Sequence, residues 1–439
     1  MIGSSLALLP AVGALDRISI ASAADQPHLS MWFDTTGGAE TANCITKNEI
    51  DVYNALGGPQ IDATQQANGW QATLTALSGG GAPDIVGTPG PSFAFQLAQA
   101  GEVLALDDYA KSQGWASSFV PWALNLGMVD GKLYSIPNEV ETLVLYYNKT
   151  LFAKNGWTAP TKMDDLITLG KTIKDAGIIP FAHCNQEWRG ANEWHVGEFL
   201  NHVAGPAKVF AALTGTAKWT DPEFVDAITK LTDMQKNGWF MGGLDRYYTT
   251  TFADANDAFA SGKAAMKIEG TWWMQSDAET YFGPEAGYDT DWDWVPVPST
   301  NGDVIFDLGI GSTISINAKT KSPDAAAAFV TQYFSAPVQA KLLIECGLAP
   351  APVVLSADQL TGLEARHAAI LTALSDASSK NNYGYTTWTF WPPKTEQMLI
   401  EEIEKVWAGD TTPTQYLTDL QTQFDAEKTA GAIPPIPAR

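Results

Sequence analysis

Cysteine is scarce in this chain: three residues in 439, Cys44, Cys184 and Cys346, with no pair spaced as C-x-x-C. That count excludes a disulfide-built scaffold and a cysteine zinc knuckle. It leaves room for one long-range bridge and one spare thiol, and the spacing does not say which pair forms it. Basic residues are also few. Lys plus Arg number 26 against 49 Asp plus Glu, a formal charge of −23. Such a surface repels phosphate backbones and anionic headgroups, which excludes nucleic acid as a partner and favours a neutral or cationic ligand. No apolar run reaches the roughly 18 residues of a membrane-spanning helix. Phosphate-cradle and hydrolase signatures are missing too. Gly79-Gly80-Gly81 is followed by no Lys-Ser/Thr and reads as a helix stop, and no G-x-S-x-G elbow, H-E-x-x-H pair or acidic Ca²⁺ loop occurs.

What is present describes a folded protein. With 45% hydrophobic and 17% charged residues, the chain is long enough for two to three domains with cores of their own. Residues 1–24 read as a separate leader: an apolar stretch from Ile2 to Leu15, then Ala21-Ser22-Ala23, which fits the A-x-A rule for signal-peptide cleavage. A basic n-region is missing, and a disordered leader is the plainer alternative. No cysteine follows the apolar stretch to carry a lipid anchor. The mature chain is therefore expected to be exported, periplasmic or extracellular, and soluble.

From His28 onward short strands alternate with amphipathic helices. Strands are expected at 29–33, 60–63, 84–86, 266–268 and 313–316, and helices near 40–56, 70–77, 163–176, 222–236 and 323–333. Thr161 and Asp164 have capping-box spacing, and Asp221-Pro222 and Ser322-Pro323 open helices. This pattern is α/β with a largely parallel sheet. No repeat or low-complexity linker separates the halves, so two lobes would be interwoven by several crossings.

The 16 tryptophans carry the most information. Trp188, Trp272, Trp273, Trp292, Trp294, Trp388 and Trp391 stand beside Gly, Pro, Asp or Asn, at turn-rich junctions and not in apolar periodic runs. An aromatic plane covers the C–H face of a sugar ring while carboxylates and amides take the hydroxyls. Paired carboxylates raise a second reading, since a glycosidase also combines acids with tryptophan; Asp34, Glu139, Glu141, Glu187, Glu269 and Asp307 are the candidates. His195, Glu198 and His202 share one helical face, but their spacing fits no zinc motif, so no metal or other cofactor is expected.

Five segments, in order, resemble the maltose-binding-protein-like sugar-binding proteins of ABC importers. They are Gly80-Gly81-Ala82-Pro83-Asp84-Ile85-Val86, then Asp130-Gly131-Lys132-Leu133-Tyr134-Ser135-Ile136-Pro137 with Glu141, Leu143, Tyr147, Asn148 and Lys149 following. Next come Phe259 to Met266 with Gly270-Thr271-Trp272, and the 322–334 helix with Gln339. The resemblance covers roughly residues 28–350 and weakens over the last ninety.

It implies a periplasmic-binding-protein fold with interwoven lobes, 28–138 plus 312–350 and 141–305 plus 365–439, closing by hinge motion on a ligand cleft. Crossings are expected near 138–141, 305–312 and 350–365. Asp34, Glu141, Glu187, Trp188, Trp272, Asp307 and Gly309 are the ligand contacts it implies; Trp273, Trp388 and Trp391 are added for their chemistry and turn context. Asp34 and Glu141 would act as ionised acceptors for sugar hydroxyls. The implied function is capture of a neutral carbohydrate, an oligosaccharide by cleft size, for delivery by a monomer to the membrane permease of an importer, without catalysis. A secreted glycoside hydrolase and a same-fold binder of a polyamine, a betaine or an iron chelate are the alternatives.

Overall fold

The computed structural model describes residues 26–35, 39–274 and 277–437; the leader expected at 1–24 lies outside them. In the first strand, His28–Asp34, alternation puts Leu29, Met31 and Phe33 inside and leaves the residues between them partly exposed. This strand pairs in parallel with Gln60–Gln66 and with Ile85–Thr88. Thr313–Ile316 enters antiparallel to Ile85–Thr88, and Ile136–Pro137 closes the five-stranded sheet against it. The sheet is thus mixed. Parallel pairing holds for the first three strands, where helices return the chain, and fails where the chain arrives from the other side of the molecule.

A second sheet has the order Trp292–Val295, Leu143–Asn148, Ala264–Gly270, Ile179–Phe181, with antiparallel pairing except at its last strand. Its central strand, Ala264–Gly270, is buried at every residue. Between the two sheets lies a third, in which Phe306–Ile310 pairs in parallel with Tyr383–Tyr385 and antiparallel with Val140–Glu141.

Two large cores accompany the sheets. Leu29, Ile85, Ile136, Ile314, Phe329 and Leu342 belong to the first. Tyr146, Phe199, Met266, Trp273, Phe390 and Leu420 belong to the second, which also takes in Ala123 and Leu126. At 138–141, 309–312 and 350 the backbone segments bond to one another: Asn138 N–H to Ser312 O (2.9 Å), Gly311 N–H to Glu139 O (2.9 Å) and Val140 N–H to Pro350 O (2.8 Å).

Local signals work by conformation more than by side-chain capping. The helix Gly69–Gly79 ends where Gly80 takes φ 76°, a left-handed stop that glycine adopts without strain. The expected Thr161–Asp164 capping box does not form. Lys162 precedes the helix Met163–Asp175 without a side-chain cap, and the Met163 amide donates to Ser299 O at 3.0 Å instead. Asp221 and Ser322 do precede helices opened by Pro222 and Pro323, again without a side-chain bond to the helix.

Cys44 and Cys346 form a disulfide across 302 positions, joining the first helix to the end of the helix Ala336–Cys346. Cys184 is the remaining thiol and is buried. A cross-link closing so long a loop restricts the unfolded chain, so Cys44→Ser with Cys346→Ser should cost roughly 2–5 kcal/mol. Denaturant unfolding of both proteins measures this, and alkylation should label one thiol in the wild type, after unfolding.

Candidate functional site

The strand Ala264–Gly270 delivers Trp272 to a partly exposed position just beyond its end. The ring lies over Gly270, where a methyl group would overlap it, and Nε1 donates to Glu269 Oε1 at 3.3 Å. Ring centroids run on from there: Trp272 to Trp194 5.1 Å, Trp194 to Phe252 6.0 Å, and Trp272 to Trp388 6.0 Å edge-on. Trp388, on the short helix Thr387–Phe390, stands where the two halves adjoin. A methyl at Gly90, whose φ is 122°, would come within 2.7 Å of the Trp388 carbonyl oxygen and 3.3 Å of its ring. At Gly309 a methyl would lie 3.2 Å from the same ring, and at Gly311 it would overlap the Glu141 carboxyl. The absence of side chains at these glycines clears the space that Trp388 and Glu141 occupy.

The first sheet supplies a polar counterpart. Asp34 Oδ2 accepts the Trp70 amide at 3.0 Å, and the Trp70 ring lies over Gly87. A cavity of about 120 Å³ is lined by Asp34, Trp70, Gly87, Glu139, Ser312 and Thr313 among others. Ser312 Oγ donates to Glu139 Oε2 at 3.0 Å and accepts from Asn138 Nδ2 at 2.8 Å. A larger cavity, about 800 Å³, is lined from the first half by residues such as Glu40 and Glu345 and from the second by residues such as Phe282, Trp292 and Arg366. Of the turn-flanked tryptophans, Trp292 is the one that lines it.

Burial dominates the electrostatics. It pushes the Glu139 carboxyl up to about 7, against the Ser312 hydrogen bond that favours its ionised form. Glu141 is raised well above the usual carboxylate range, first by burial and then by Glu139 beside it. The expectation that Glu141 is an ionised acceptor is thereby corrected: enclosed next to a second carboxyl, it holds its proton and can donate as well as accept. On the other wall Lys267 is buried but paired, 2.5 Å from both Glu269 Oε2 and Asn256 Oδ1, with its ammonium 5.0 Å from the centroid of Trp273. Burial raises Asp277 to about 6, with Lys267 opposing the rise.

Of the expected contacts, the structure brings Trp272, Trp388, Glu141 and Gly309 together, with Asp34 on the first sheet. Gly309 serves as clearance beneath Trp388 and Thr386. Glu187 is exposed and accepts the Phe252 amide at 2.7 Å, holding the start of the helix Phe252–Ala260, while half-buried Trp188 folds over Gly190. Three expectations are corrected. Trp273 is fully enclosed by Tyr146, Phe259, Phe282 and Trp292. Trp391 is buried and stacks on Trp219 at 4.2 Å. Asp307 is buried against His202 and Glu198, where no small molecule reaches it. Both tryptophans flank turns in sequence, yet their side chains turn inward, and Asp307 lies within the strand Phe306–Ile310. Trp70, Trp194 and Lys267 join the site without having been expected there, and Glu139, expected only under the glycosidase reading, joins them. Trp70 follows Asn68-Gly69, the same turn context that marked the others.

Two mixed α/β halves on separate sheets, with aromatics and carboxyls where they adjoin, define a two-lobed binding protein. Residues 41–340 match the bacterial extracellular solute-binding protein family, and the chain belongs to it. It is 27% identical over 323 residues to a protein of Mesorhizobium japonicum named as a probable sugar-binding periplasmic protein, covering 71% of this chain and 73% of that one. It is 23% identical over 249 residues to the diacetylchitobiose binding protein NgcE of Streptomyces coelicolor, covering 55% of this chain and 51% of that protein. The fold superposes on a chitin oligosaccharide binding protein with a TM-score of 0.76 at 20% identity, covering 92% of this chain and all of the other. No described helix is long and apolar enough to cross a membrane.

Buried carboxyls give stability a definite pH dependence. Burial raises Glu396 from 4.5 to about 7, and Glu139 from 4.5 to about 7. Between those values the folded state holds protons that the unfolded chain has released, so stability falls as pH rises through that window and levels off above it. Tm should therefore be higher near pH 5 than near pH 8. Self-repulsion of the acidic surface acts in the same direction. The discriminating measurement is Glu396→Gln, which should flatten part of the slope; an unchanged slope would remove this account.

Proposed function

We propose that this chain is the sugar-binding component of an ABC importer, capturing a neutral carbohydrate between two lobes. Family membership supplies the solute-binding role. The observation that carries the sugar reading is the partly exposed Trp272 ring, backed by the buried rings of Trp194 and Trp388 and bonded at its edge to Glu269. Rings of that kind cover sugar C–H faces, and a protonated carboxyl meets hydroxyls as donor and acceptor alike. The names of the Mesorhizobium and Streptomyces relatives point the same way. The Streptomyces relative is named for a diacetylchitobiose, which supports a ligand of more than one sugar ring, hence an oligosaccharide. The lobes we assign are 28–138 plus 312–350 and 141–305 plus 365–439, closing about the crossings near 138–141, 305–312 and 350–365. The permease subunits of the importer are the implied partners.

A panel of mono- and oligosaccharides tested by thermal shift should identify the ligand, since binding to the folded state raises Tm. With that sugar, Trp272→Ala should weaken affinity about ten- to a hundredfold, the loss expected for one buried aromatic face. Calorimetry reads the affinity and a melting curve the stability. A fall in Tm with affinity intact would return Trp272 to packing.

Glu139 beside a protonated Glu141 favours a second reading, because a glycosidase also holds one of two carboxyls protonated. Product analysis separates the two. Stoichiometric binding without release of reducing ends is expected, with Glu141→Gln changing affinity alone. Turnover abolished by that substitution would establish the hydrolase instead.

A further inference from the structure

One cluster lies apart from the aromatic row. Glu198 and His202 stand one turn apart on the helix Ala191–Ala204, and Asp307 faces them from the strand Phe306–Ile310. All three side chains are about 1% exposed. His202 Nε2 lies 3.1 Å from Glu198 Oε2 and 3.4 Å from Asp307 Oδ1. Despite these approaches, no hydrogen bond of ordinary geometry reaches either carboxylate or either ring nitrogen among the described residues. A methyl at Gly384, on the neighbouring strand, would overlap Asp307 Oδ1, so the backbone leaves that oxygen its room.

We propose that Glu198, His202 and Asp307 form a structural site for a divalent transition-metal ion of the zinc class. Three arguments carry it. First, tetrahedral ligands at about 2.0–2.2 Å from zinc are about 3.3–3.6 Å from one another, close to both separations found here. Second, an imidazole with two carboxylates suits zinc better than calcium or magnesium, which take oxygen ligands. Third, two carboxylates and a neutral imidazole balance a doubly charged ion, so the loaded site would carry no net buried charge. The helical pair alone matches no zinc motif; its third ligand comes from a strand remote in sequence. The ion would tie the helix Ala191–Ala204 to the strand that pairs with Val140–Glu141.

The test uses the untagged full chain. Metal analysis of the purified protein should find one equivalent of a divalent transition ion. Chelation should lower Tm by several degrees, and ZnCl₂ should restore it. Cobalt added to the chelated protein should give the visible absorption of a low-coordinate site. Asp307→Asn should abolish the zinc response, whereas His28→Ala, which removes the exposed His28–Asp62 pair, should leave it intact. If Asp307→Asn fails to fold, the chelation and cobalt measurements on the wild type decide. A metal-free protein whose Tm ZnCl₂ does not move, or a response lost in His28→Ala, would overturn the site and leave a proton-sharing salt bridge.

Discussion

Where the chain passes between its two large sheets, Val140–Glu141 runs antiparallel to Gly309–Ile310, and the remainder is arranged around that short pair. Two residues on each side make a narrow ribbon, which twists more readily than a wide sheet. The same backbone places Glu141, clears Gly309 and Gly311 for Trp388 and the Glu141 carboxyl, and sends Thr313–Ile316 into the first sheet with the register that buries Ile314 and Ile316. A slip of one residue would reverse the faces of that strand. It would turn Ile314 and Ile316 away from the first core and carry the clearance at Gly309 and Gly311 out of register with Trp388 and Glu141.

Side chains hold the surroundings of Trp388 as well. Ser92, opening the helix Pro91–Gln99 beside the first sheet, donates to Glu396 on the helix Pro393–Ala408 beside the second. Thr387 Oγ1 donates to Glu193 Oε2 at 2.5 Å, and Glu427 accepts the amides of Lys394 and Thr395. Glu193 and Glu396 are buried in a chain of large net negative charge, and their rise in pKa is the cost of that placement. The contact also fixes the start of the Pro393–Ala408 helix and so the position of Trp388 just before it. Stability on this flank and geometry at the candidate site are one problem.

Much of the fold was legible because apolar periodicity reports which face is buried, and burial decides elements of this length. The strands at 28–34 and 313–316 and the helices opened by Pro222 and Pro323 fall where the pattern put them. The capping box at Thr161 was misread because a tertiary bond from Met163 to Ser299 meets the helix start first. The site was legible in part. Turn context marks where a tryptophan leaves the chain but not which way it points. Trp272 and Trp273 are neighbours on one turn, and successive residues there face opposite directions, one over Gly270 and the other into the second core. The protonation of Glu141 was out of reach for a related reason, since it depends on Glu139 and on enclosure by strands remote in sequence.

That protonation bears on which ligand the site suits. The net charge of −23 describes the whole chain and by itself would favour a cation. Yet Glu141, on the crossing strand, is held from ionising by burial and by Glu139 beside it. A polyamine or betaine would have to draw the proton off Glu141 to gain an ion pair, and that step offsets part of the attraction it brings. A hydroxyl makes no such demand. It accepts from the protonated carboxyl or donates to its free oxygen, while the ring it belongs to covers tryptophan. The balance at the site therefore favours a neutral, hydroxyl-bearing ligand even though the surface around it is acidic.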